Sequence, residues 1–329
     1  MPLPSEMRVI DINEYGGPEK LISATRPVPE PAPHEVLVRV RAAGVNGPDL
    51  VQRRGHYPPP KGASDLLGLE VSGEIVSAGH EVSHWQVGDG VCALTNGGGY
   101  AEYCAIDARH CLPIPEGLDW VEAATLPETY FTVWSNIFLP GRLTRGGTLL
   151  VHGGAGGIGS TAIQLGRAFD ATVFTTVADE RQTAFCQTLG ATRCINFNNE
   201  DFVDIIREEV GGADVILDII CGDYFEKNIK ACKPDAHIVQ LAFNGGAKVT
   251  ANLMPIMLKR LTFTGSTLRS RSDAFKAQVA DELREQVWPL FAKGRLKSVV
   301  GEQFPLAQAT DAHAIMEAAS HTGKVVLLP

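Results

Sequence analysis

The sequence lacks the features of three classes of protein. No apolar run reaches the length of a membrane span, and residues 1–13 carry Glu6 and Asp11 in place of the apolar core of a signal peptide. No lysine- or arginine-rich run is present, and a net charge of −9 argues against nucleic acid or an anionic membrane as the main partner. The seven cysteines include no C-x-x-C pair, which favours reduced thiols over a disulfide framework. We therefore expect a cytoplasmic protein that binds neither membranes nor nucleic acids.

The outer parts of the chain predict a β-rich unit. A length of 329 residues suggests about two domains, and a hydrophobic content of 44% suffices for sizeable cores. Residues 267–329 begin with a long helix through Phe275 and Val287 and close with a strand at 323–328. Because this strand leaves no room for another βαβ unit, we expect it to return to the first domain. In residues 1–125, glycine and proline clusters separate short valine-rich strands, predicted at 35–42, 70–76 and 99–106.

The central part of the chain, residues 126–266, alternates predicted strands and helices. This alternation indicates a doubly wound parallel sheet, and hence an α/β protein. The predicted strands are 148–153, 171–177, 192–197, 213–220, 237–243 and 260–266.

A glycine turn follows the first of these central strands. Gly154, Gly156 and Gly159 fit the G-x-G-x-x-G spacing. In that spacing the first glycine permits a tight turn, the second lets a pyrophosphate approach the backbone, and the third lets the helix pack closely on the strand. The helix that follows would point its N-terminal amides at the anion. The pattern predicts a dinucleotide site, and the alternative is a βα turn with a structural role only. The predicted cofactor-binding residues of the turn are Gly154, Ala155, Gly156, Gly157, Ile158 and Gly159.

The order of the three segments resembles the medium-chain dehydrogenase/reductase superfamily, over nearly the whole chain. Several short motifs are similar to its quinone oxidoreductase branch: Gly17-Pro18-Glu19, Gly68-Leu69-Glu70, Gly88-Asp89, and residues 44–50, 114–118 and 323–327. Residues 52–60 and 268–271 are similar to the group that contains the tumour-suppressor-inducible NADPH quinone reductase and its bacterial relatives.

The resemblance has consequences for fold and activity. It implies a GroES-like β-rich catalytic domain at 1–125, a Rossmann dinucleotide-binding domain at 126–266, and a C-terminal return at 267–329 that completes the catalytic domain. It also implies hydride transfer from a reduced nicotinamide, with the protein supplying mainly proximity and orientation.

Zinc is not expected. Zinc-dependent members of the superfamily hold the metal with a cysteine where this chain has Asn46 and with a histidine where it has Leu69, and neither replacement is a zinc ligand. The structural-zinc lobe is missing, and Cys92, Cys104 and Cys111 lack the spacing of a tetrahedral site, so we expect core positions for them. Without a Lewis acid, the substrates should be quinones and conjugated enones, which accept hydride readily.

Four residues are candidates for the reaction centre. The Asn46 amide could donate to a quinone oxygen, and the alternative is a turn-capping asparagine. Tyr57 could stack on nicotinamide or substrate and supply a proton, and the alternative is an ordinary half-buried tyrosine. Thr132 matches a threonine that contacts the nicotinamide end in this family. His152 is expected to be a hydrogen-bonded core histidine rather than an acid.

The choice of cofactor depends on the turn after the strand at 171–177. NAD-preferring relatives carry an aspartate at the end of this strand, where this chain has Val177. The family's usual phosphate-binding residues are only partly present, since Gln182 and Phe197 replace a lysine and a tyrosine. Arg181 could bind a 2′-phosphate, or it pairs with a neighbouring acid in solvent. We predict NADPH without excluding NADH; further candidate cofactor contacts are Thr176, Phe243 and Leu268.

The sequence therefore predicts an NADPH-dependent, zinc-free quinone or enone reductase. Two alternatives are an enoyl- or acryloyl-type reductase and a cofactor-binding protein with a structural, crystallin-like role. The apolar edge strand at 260–266 predicts a homodimer, because an unpaired apolar edge needs a cover and the resembled reductases commonly dimerise.

Overall fold

The computed structural model describes residues 3–139 and 141–329. The chain forms two compact units: unit 1 comprises Met1–Phe131 and Arg269–Pro329, and unit 2 comprises Thr132–Leu268. The boundaries fall at 131/132 and 268/269, where the sequence predicted 125/126 and 266/267. None of the described helices combines the length and apolarity that a membrane crossing requires.

The described residues form strands, α-helices and short 3₁₀ and π-helical turns. The strands are β1 (Glu6–Ile12), β2 (Leu21–Pro27), β3 (Glu35–Val45), β4 (Glu70–Ala78), β5 (Gly90–Leu94), β6 (Tyr103–Asp107), β7 (Cys111–Pro113), β8 (Thr148–Val151), β9 (Thr172–Val177), β10 (Arg193–Asn196), β11 (Ala213–Asp218), β12 (Cys232–Gln240), β13 (Thr262–Gly265), β14 (Val300–Pro305) and β15 (Lys324–Leu328). The α-helices are α1 (Gly47–Arg53), α2 (Trp120–Ala123), α3 (Pro127–Val133), α4 (Gly157–Ala168), α5 (Glu180–Leu189), α6 (Phe202–Val210), α7 (Tyr224–Ala231), α8 (Met254–Lys259), α9 (Asp273–Glu282), α10 (Pro289–Ala292) and α11 (Ala309–Glu317). Single 3₁₀ turns lie at Pro18–Lys20, Ala108–His110 and Leu306–Gln308, and π-helical turns lie at Trp134–Phe138 and Leu283–Val287.

Unit 1 is built on a seven-stranded sheet. Its order is β14-β15-β3-β4-β5-β7, with β6 paired to β3, while β1 and β2 form a separate hairpin. The closing strand β15 pairs antiparallel with β3, so the C-terminal segment lies in the first domain. Valines of the central strands, among them Val38, Val71 and Val325, fill the core. The GroES-like β-rich architecture predicted from the sequence is confirmed.

The strand predicted at 99–106 is wrong in its first half, because β6 begins only at Tyr103. Gly68 and Gly99 approach each other so closely that a Cβ on Gly68, which has φ +97°, would lie 2.6 Å from the Gly99 Cα atom. The segment just before β6 instead pairs with β1: the Ile10 N–H donates to Tyr100 O at 2.9 Å, the Glu102 N–H donates to Arg8 O at 3.1 Å, and Val9 and Ala101 form an isolated bridge. The register with β3 begins at Tyr103.

Unit 2 is a parallel sheet of the Rossmann type, as predicted. The six strands have the order β10-β9-β8-β11-β12-β13, and every pair is parallel. This is the 3-2-1-4-5-6 order in which ligands bind at the carboxyl ends of the strands, where the order reverses. That point lies between β8 and β11. The strand predicted at 237–243 instead runs from Cys232 to Gln240, which leaves Phe243 in the loop that follows.

The helices begin and end at recognisable signals. Asp179 caps α5 by accepting a hydrogen bond from the Gln182 backbone, and Gly190, with φ +99°, ends the same helix. The long helix predicted through Phe275 and Val287 is present: α9 runs to Glu282 and continues directly as a π-helical turn to Val287.

Candidate functional site

The first candidate site is a buried polar cluster in unit 1. Glu70, the first residue of β4, is fully buried, and its Oε1 accepts hydrogen bonds from Asn46 Nδ2 at 2.9 Å and Lys324 Nζ at 2.5 Å. Its Oε2 accepts the backbone N–H of Glu128 at 2.9 Å. Gly44 leaves room for this carboxylate, because a Cβ there would lie 2.0 Å from Oε1. The Glu70 carboxylate is thus fixed by three separate chain segments.

Asn46 and Lys324 both have their polar groups engaged within this cluster. Lys324 Nζ donates to Val45 O, Asn46 Oδ1 and Glu70 Oε1, which uses the three donors of an ammonium group. The Asn46 amide donates to Gly44 O and Glu70 and accepts from Lys324. Direct donation from Asn46 to a quinone oxygen, one of the two sequence-based alternatives, would require one of these bonds to break.

Glu128 is a site residue that the sequence reasoning missed. Its carboxyl group is partly exposed and makes no hydrogen bond or ion pair with the described residues. Burial, followed by the nearby charge of Glu70, raises the pKa of Glu128 to about 8. A sequence signal did exist, because Glu128 is the one charged residue in the otherwise uncharged run 123–141.

Tyr57 lies in the same unit, just after α1, and is half-buried. The guanidinium carbon of Arg269 lies 5.6 Å from the centre of its ring. Arg269 is itself held by Asn96 O, at 2.9 and 2.6 Å, and by Gln52 Oε1 at 2.5 Å. Burial, followed by the charge of Glu128, raises the pKa of Tyr57 to about 12, so its hydroxyl stays protonated at neutral pH.

The second candidate site is the glycine turn of unit 2, between β8 and α4. A Cβ on Gly154 would lie 2.2 Å from Thr175 Oγ1, and one on Gly159 would lie 2.2 Å from Gly153 O, so the fold itself requires glycine at both positions. Gly156 is different, because a Cβ there would meet no protein atom closer than 3.9 Å. The space beside Gly156 therefore suits an external group.

The amides around this space suit an anion. Gly156 is the N-cap of α4, and Gly157, Ile158 and Gly159 are its first three residues. The first amides of a helix have no partner inside the helix and carry a partial positive charge. The backbone therefore offers amides that suit an anionic group such as a phosphate. Ala155, which precedes the cap, is buried.

Two residues beneath the turn stabilise it. Thr176 Oγ1 accepts the Gly153 N–H at 3.1 Å, and Thr176 O accepts the Gly154 N–H at 3.1 Å. His152 is almost fully buried, with Nε2 at 2.7 Å from Asn228 Oδ1 and Nδ1 at 3.3 Å from Thr176 Oγ1. Burial lowers the pKa of His152. The expectation of a hydrogen-bonded core histidine agrees with these contacts.

The remaining candidate cofactor residues of unit 2 differ in exposure. Val177 ends β9 and is buried, and Arg181 is exposed on the first turn of α5. Gln182 Oε1 accepts the Ala178 N–H at 2.9 Å, so this side chain fixes the loop after β9. The others are Phe197 and Phe243, which are exposed, and Thr132 and Leu268, which are buried.

The cysteines expected in the core of unit 1 are buried there, namely Cys92, Cys104 and Cys111. One group of possible metal ligands occurs in the described residues: ligand atoms of Asp107, His110 and Asp273 lie within 4.8 Å of one another. Asp107 already binds Arg109 through both carboxylate oxygens, and His110 Nε2 lies 3.1 Å from the Asp273 carbonyl. The group is thus largely engaged in contacts within the protein.

Comparisons with known proteins identify the family. Residues 32–116 match the alcohol dehydrogenase GroES-like domain, and residues 157–285 match the zinc-binding dehydrogenase family. A quinone oxidoreductase of Mus musculus is 32% identical, covering 98% of this chain and 98% of its own. The crystal structure of a quinone oxidoreductase of Pseudomonas syringae pv. Tomato DC3000 has a TM-score of 0.88 at 28% identity, covering 98% of this chain and 100% of that one. The CurK enoyl reductase structure has a TM-score of 0.86 at 26% identity, covering 99% of each chain. The chain therefore belongs to the quinone oxidoreductase family of the medium-chain dehydrogenase/reductases.

Proposed function

We propose that this protein uses NADPH to reduce quinones and conjugated enones, without a bound metal. The observation that carries the proposal is the glycine turn, with an open backbone at Gly156 and the first amides of α4 behind it. Asn46 and the buried Leu69 stand where zinc-dependent relatives have ligands, and neither is a zinc ligand. Family membership adds a nicotinamide cofactor and a small-molecule substrate.

The residues of the chain take the following roles in this proposal. The amides of Gly157, Ile158 and Gly159 bind the pyrophosphate, and the bound nicotinamide supplies the hydride. Tyr57, kept neutral, forms part of the substrate surface, and Arg269 orients its ring. Asn46 acts through Glu70, whose position it helps to fix, rather than by donating to substrate.

The preference for NADPH rests on the loop after β9. Val177 offers no carboxylate to repel a 2′-phosphate, and Arg181 on the first turn of α5 offers a positive charge. Thr132, Thr176, Gln182, Phe197, Phe243 and Leu268 are proposed to shape the rest of the cofactor pocket, directly or by fixing its loops.

A second candidate is reduction of the C=C bond of an enoyl compound. The similarity to the CurK enoyl reductase supports it. The chemistry is closely related, because in both reactions a hydride adds to a conjugated system whose carbonyl group delocalises the arriving charge.

We also propose a homodimer located in the cytoplasm. β13 is an edge strand, and Phe263 on it is 43% exposed. Exposed apolar residues of the neighbouring α8, Met257 and Leu258, extend this apolar surface. Pairing of two identical edges would cover it. The seven cysteines are buried and form no disulfide in the described structure, which suits a reducing compartment.

The test is a substrate panel under anaerobic conditions. We expect NADPH oxidation with para-quinones and conjugated enones, slower oxidation of NADH, and no reaction with simple ketones. Reduction confined to enoyl thioesters would favour the second candidate. Turnover of simple alcohols that depends on added zinc would contradict the proposal.

A further inference from the structure

We propose that Glu128 is the acid that protonates the substrate as the hydride is transferred. This inference rests on the reductase function proposed above and adds a catalytic residue to it. Glu128 lies in the buried polar cluster of unit 1, next to the buried Glu70 carboxylate.

Glu128 is hydrogen-bonded to the cluster through its backbone N–H, so its carboxyl group is not needed to hold the residue in place. Its N–H donates to Glu70 Oε2 at 2.9 Å, so the residue sits directly beside a fully buried carboxylate. Its own carboxyl group retains some exposure, whereas the Glu70 carboxylate is inaccessible. Of these two carboxyl groups, only Glu128 can therefore reach a substrate.

The cations around Glu128 are engaged elsewhere. The Lys324 ammonium group contacts Val45 O, Asn46 Oδ1 and Glu70 Oε1, which uses its three donors. Arg269 binds Asn96 O and Gln52 Oε1. Lys276 is 1% exposed and binds Asn96 Oδ1 at 2.6 Å and Arg269 O at 3.0 Å. No described cation lies within ion-pair distance of the Glu128 carboxyl group.

The anions around Glu128 oppose its ionisation. Glu70 and Asp49 are both fully buried. Asp49 cannot serve as the acid, because its oxygens accept the backbone N–H groups of Asn46 and Gly68, at 2.8 and 3.0 Å, deep in the unit. Burial and the charge of Glu70 together raise the pKa of Glu128 to about 8, so the group carries its proton at neutral pH.

The step balances in atoms and electrons. The substrate gains a hydride with its electron pair from the reduced nicotinamide, which is oxidised by two electrons. The O–H bond of Glu128 breaks while a new O–H bond forms at the substrate oxygen. With a quinone whose ring carbon has received the hydride, that carbon then loses a proton to water and the second oxygen gains one, which gives the hydroquinone. The Glu128 carboxylate then recovers a proton from water. A carboxylic acid with a pKa near the working pH suits this role better than Tyr57, whose pKa lies at about 12.

The test compares Glu128→Gln with Glu128→Asp, using Glu122→Gln as a matched control. Glu122 is a carboxylate on the preceding helix α2, where it caps Asp119, and glutamine caps equally well. We expect the wild-type kcat/KM for quinone to fall as pH rises through about 8. Glu128→Gln should lower kcat/KM by about 10²–10⁴-fold below pH 8 and abolish this fall in kcat/KM with pH. Glu128→Asp should retain a fall in kcat/KM as pH rises. NADPH binding should be unchanged in both variants.

A second readout needs no substrate. Because the pKa of Glu128 is raised from 4.5 in the unfolded chain to about 8 in the folded one, its contribution to stability is full below pH 4.5 and is lost as pH rises through 8. The Tm of Glu128→Gln relative to wild type should therefore increase between pH 5 and pH 9, and that of Glu122→Gln should not.

The outcomes separate this inference from the proposed function. An active Glu128→Gln variant that keeps the wild-type pH dependence of kcat/KM would overturn the acid role and leave the reductase function intact. A wild-type protein that reduces no quinone or enone would overturn both, and the Tm comparison would then report only the protonation state of Glu128.

Discussion

The Gly156→Val variant should fold like the wild type and lose its affinity for NADPH. Gly156 has φ −82° and ψ 179°, an extended conformation that any residue adopts, and the nearest protein atom to a Cβ there is Gly153 O at 3.9 Å. We therefore expect a change in the free energy of unfolding of less than about 1 kcal/mol and a Tm shift of less than about 4 °C.

The loss of cofactor affinity follows from the same geometry. Two valine methyl groups would occupy the space in which a pyrophosphate contacts the amides of Gly157 and Ile158. A hydrogen bond to a charged group contributes about 1.5–3 kcal/mol. Losing two of them would weaken binding by about 3–6 kcal/mol, which raises the Kd for NADPH by about 10²–10⁴-fold. Calorimetric titration with NADPH, together with thermal unfolding, measures both effects.

Gly154→Ala is the matched control. A Cβ there would lie 2.2 Å from Thr175 Oγ1, which itself donates to Val151 O at 2.8 Å, so this variant should be destabilised even without cofactor. A wild-type Kd for NADPH in Gly156→Val, or a wild-type Tm in Gly154→Ala, would contradict these roles of the two glycines.

Three further predictions concern the cofactor, the assembly and the metal. Arg181→Ala should raise the KM for NADPH by about 10–150-fold, the loss of one charge-assisted contact, and leave that for NADH unchanged; equal effects on both cofactors would reject the phosphate contact. Light scattering should give a dimer of about 70 kDa, from two chains of 35.3 kDa, and Phe263→Lys should shift it towards monomer. A wild-type monomer, or a dimer indifferent to this substitution, would reject the edge-strand interface. Dialysis against a strong chelator should leave NADPH oxidation and Tm unchanged, and a loss of either would show that a metal is required.

Features encoded in local spacing could be predicted from the sequence. The spacing of three glycines within a few residues predicts the glycine turn, and the alternation of strands and helices predicts the parallel sheet. The start of β6 is not encoded locally, because the residues just before it pair with β1, near the other end of the domain's sequence.

The role proposed for Glu128 could not be derived from its neighbours in the chain. Its environment is set by Glu70 and Lys324, which lie far away in sequence on β4 and β15. The sequence marks Glu128 only as an isolated charge in an uncharged run. The folded structure adds the decisive information, which is that the nearby cations already have other partners. Asn46 is the opposite case. The sequence marks its position, but only the structure shows that its amide already has hydrogen-bond partners within the protein.

The most direct test of the central claim is the stoichiometry of anaerobic quinone reduction by metal-depleted protein. NADPH consumed and hydroquinone formed should be quantified together, with the metal content of the same sample measured. We expect one hydroquinone per NADPH, formed at the rate of untreated protein. No oxidation above the protein-free blank, or a rate restored only by added zinc, would contradict it.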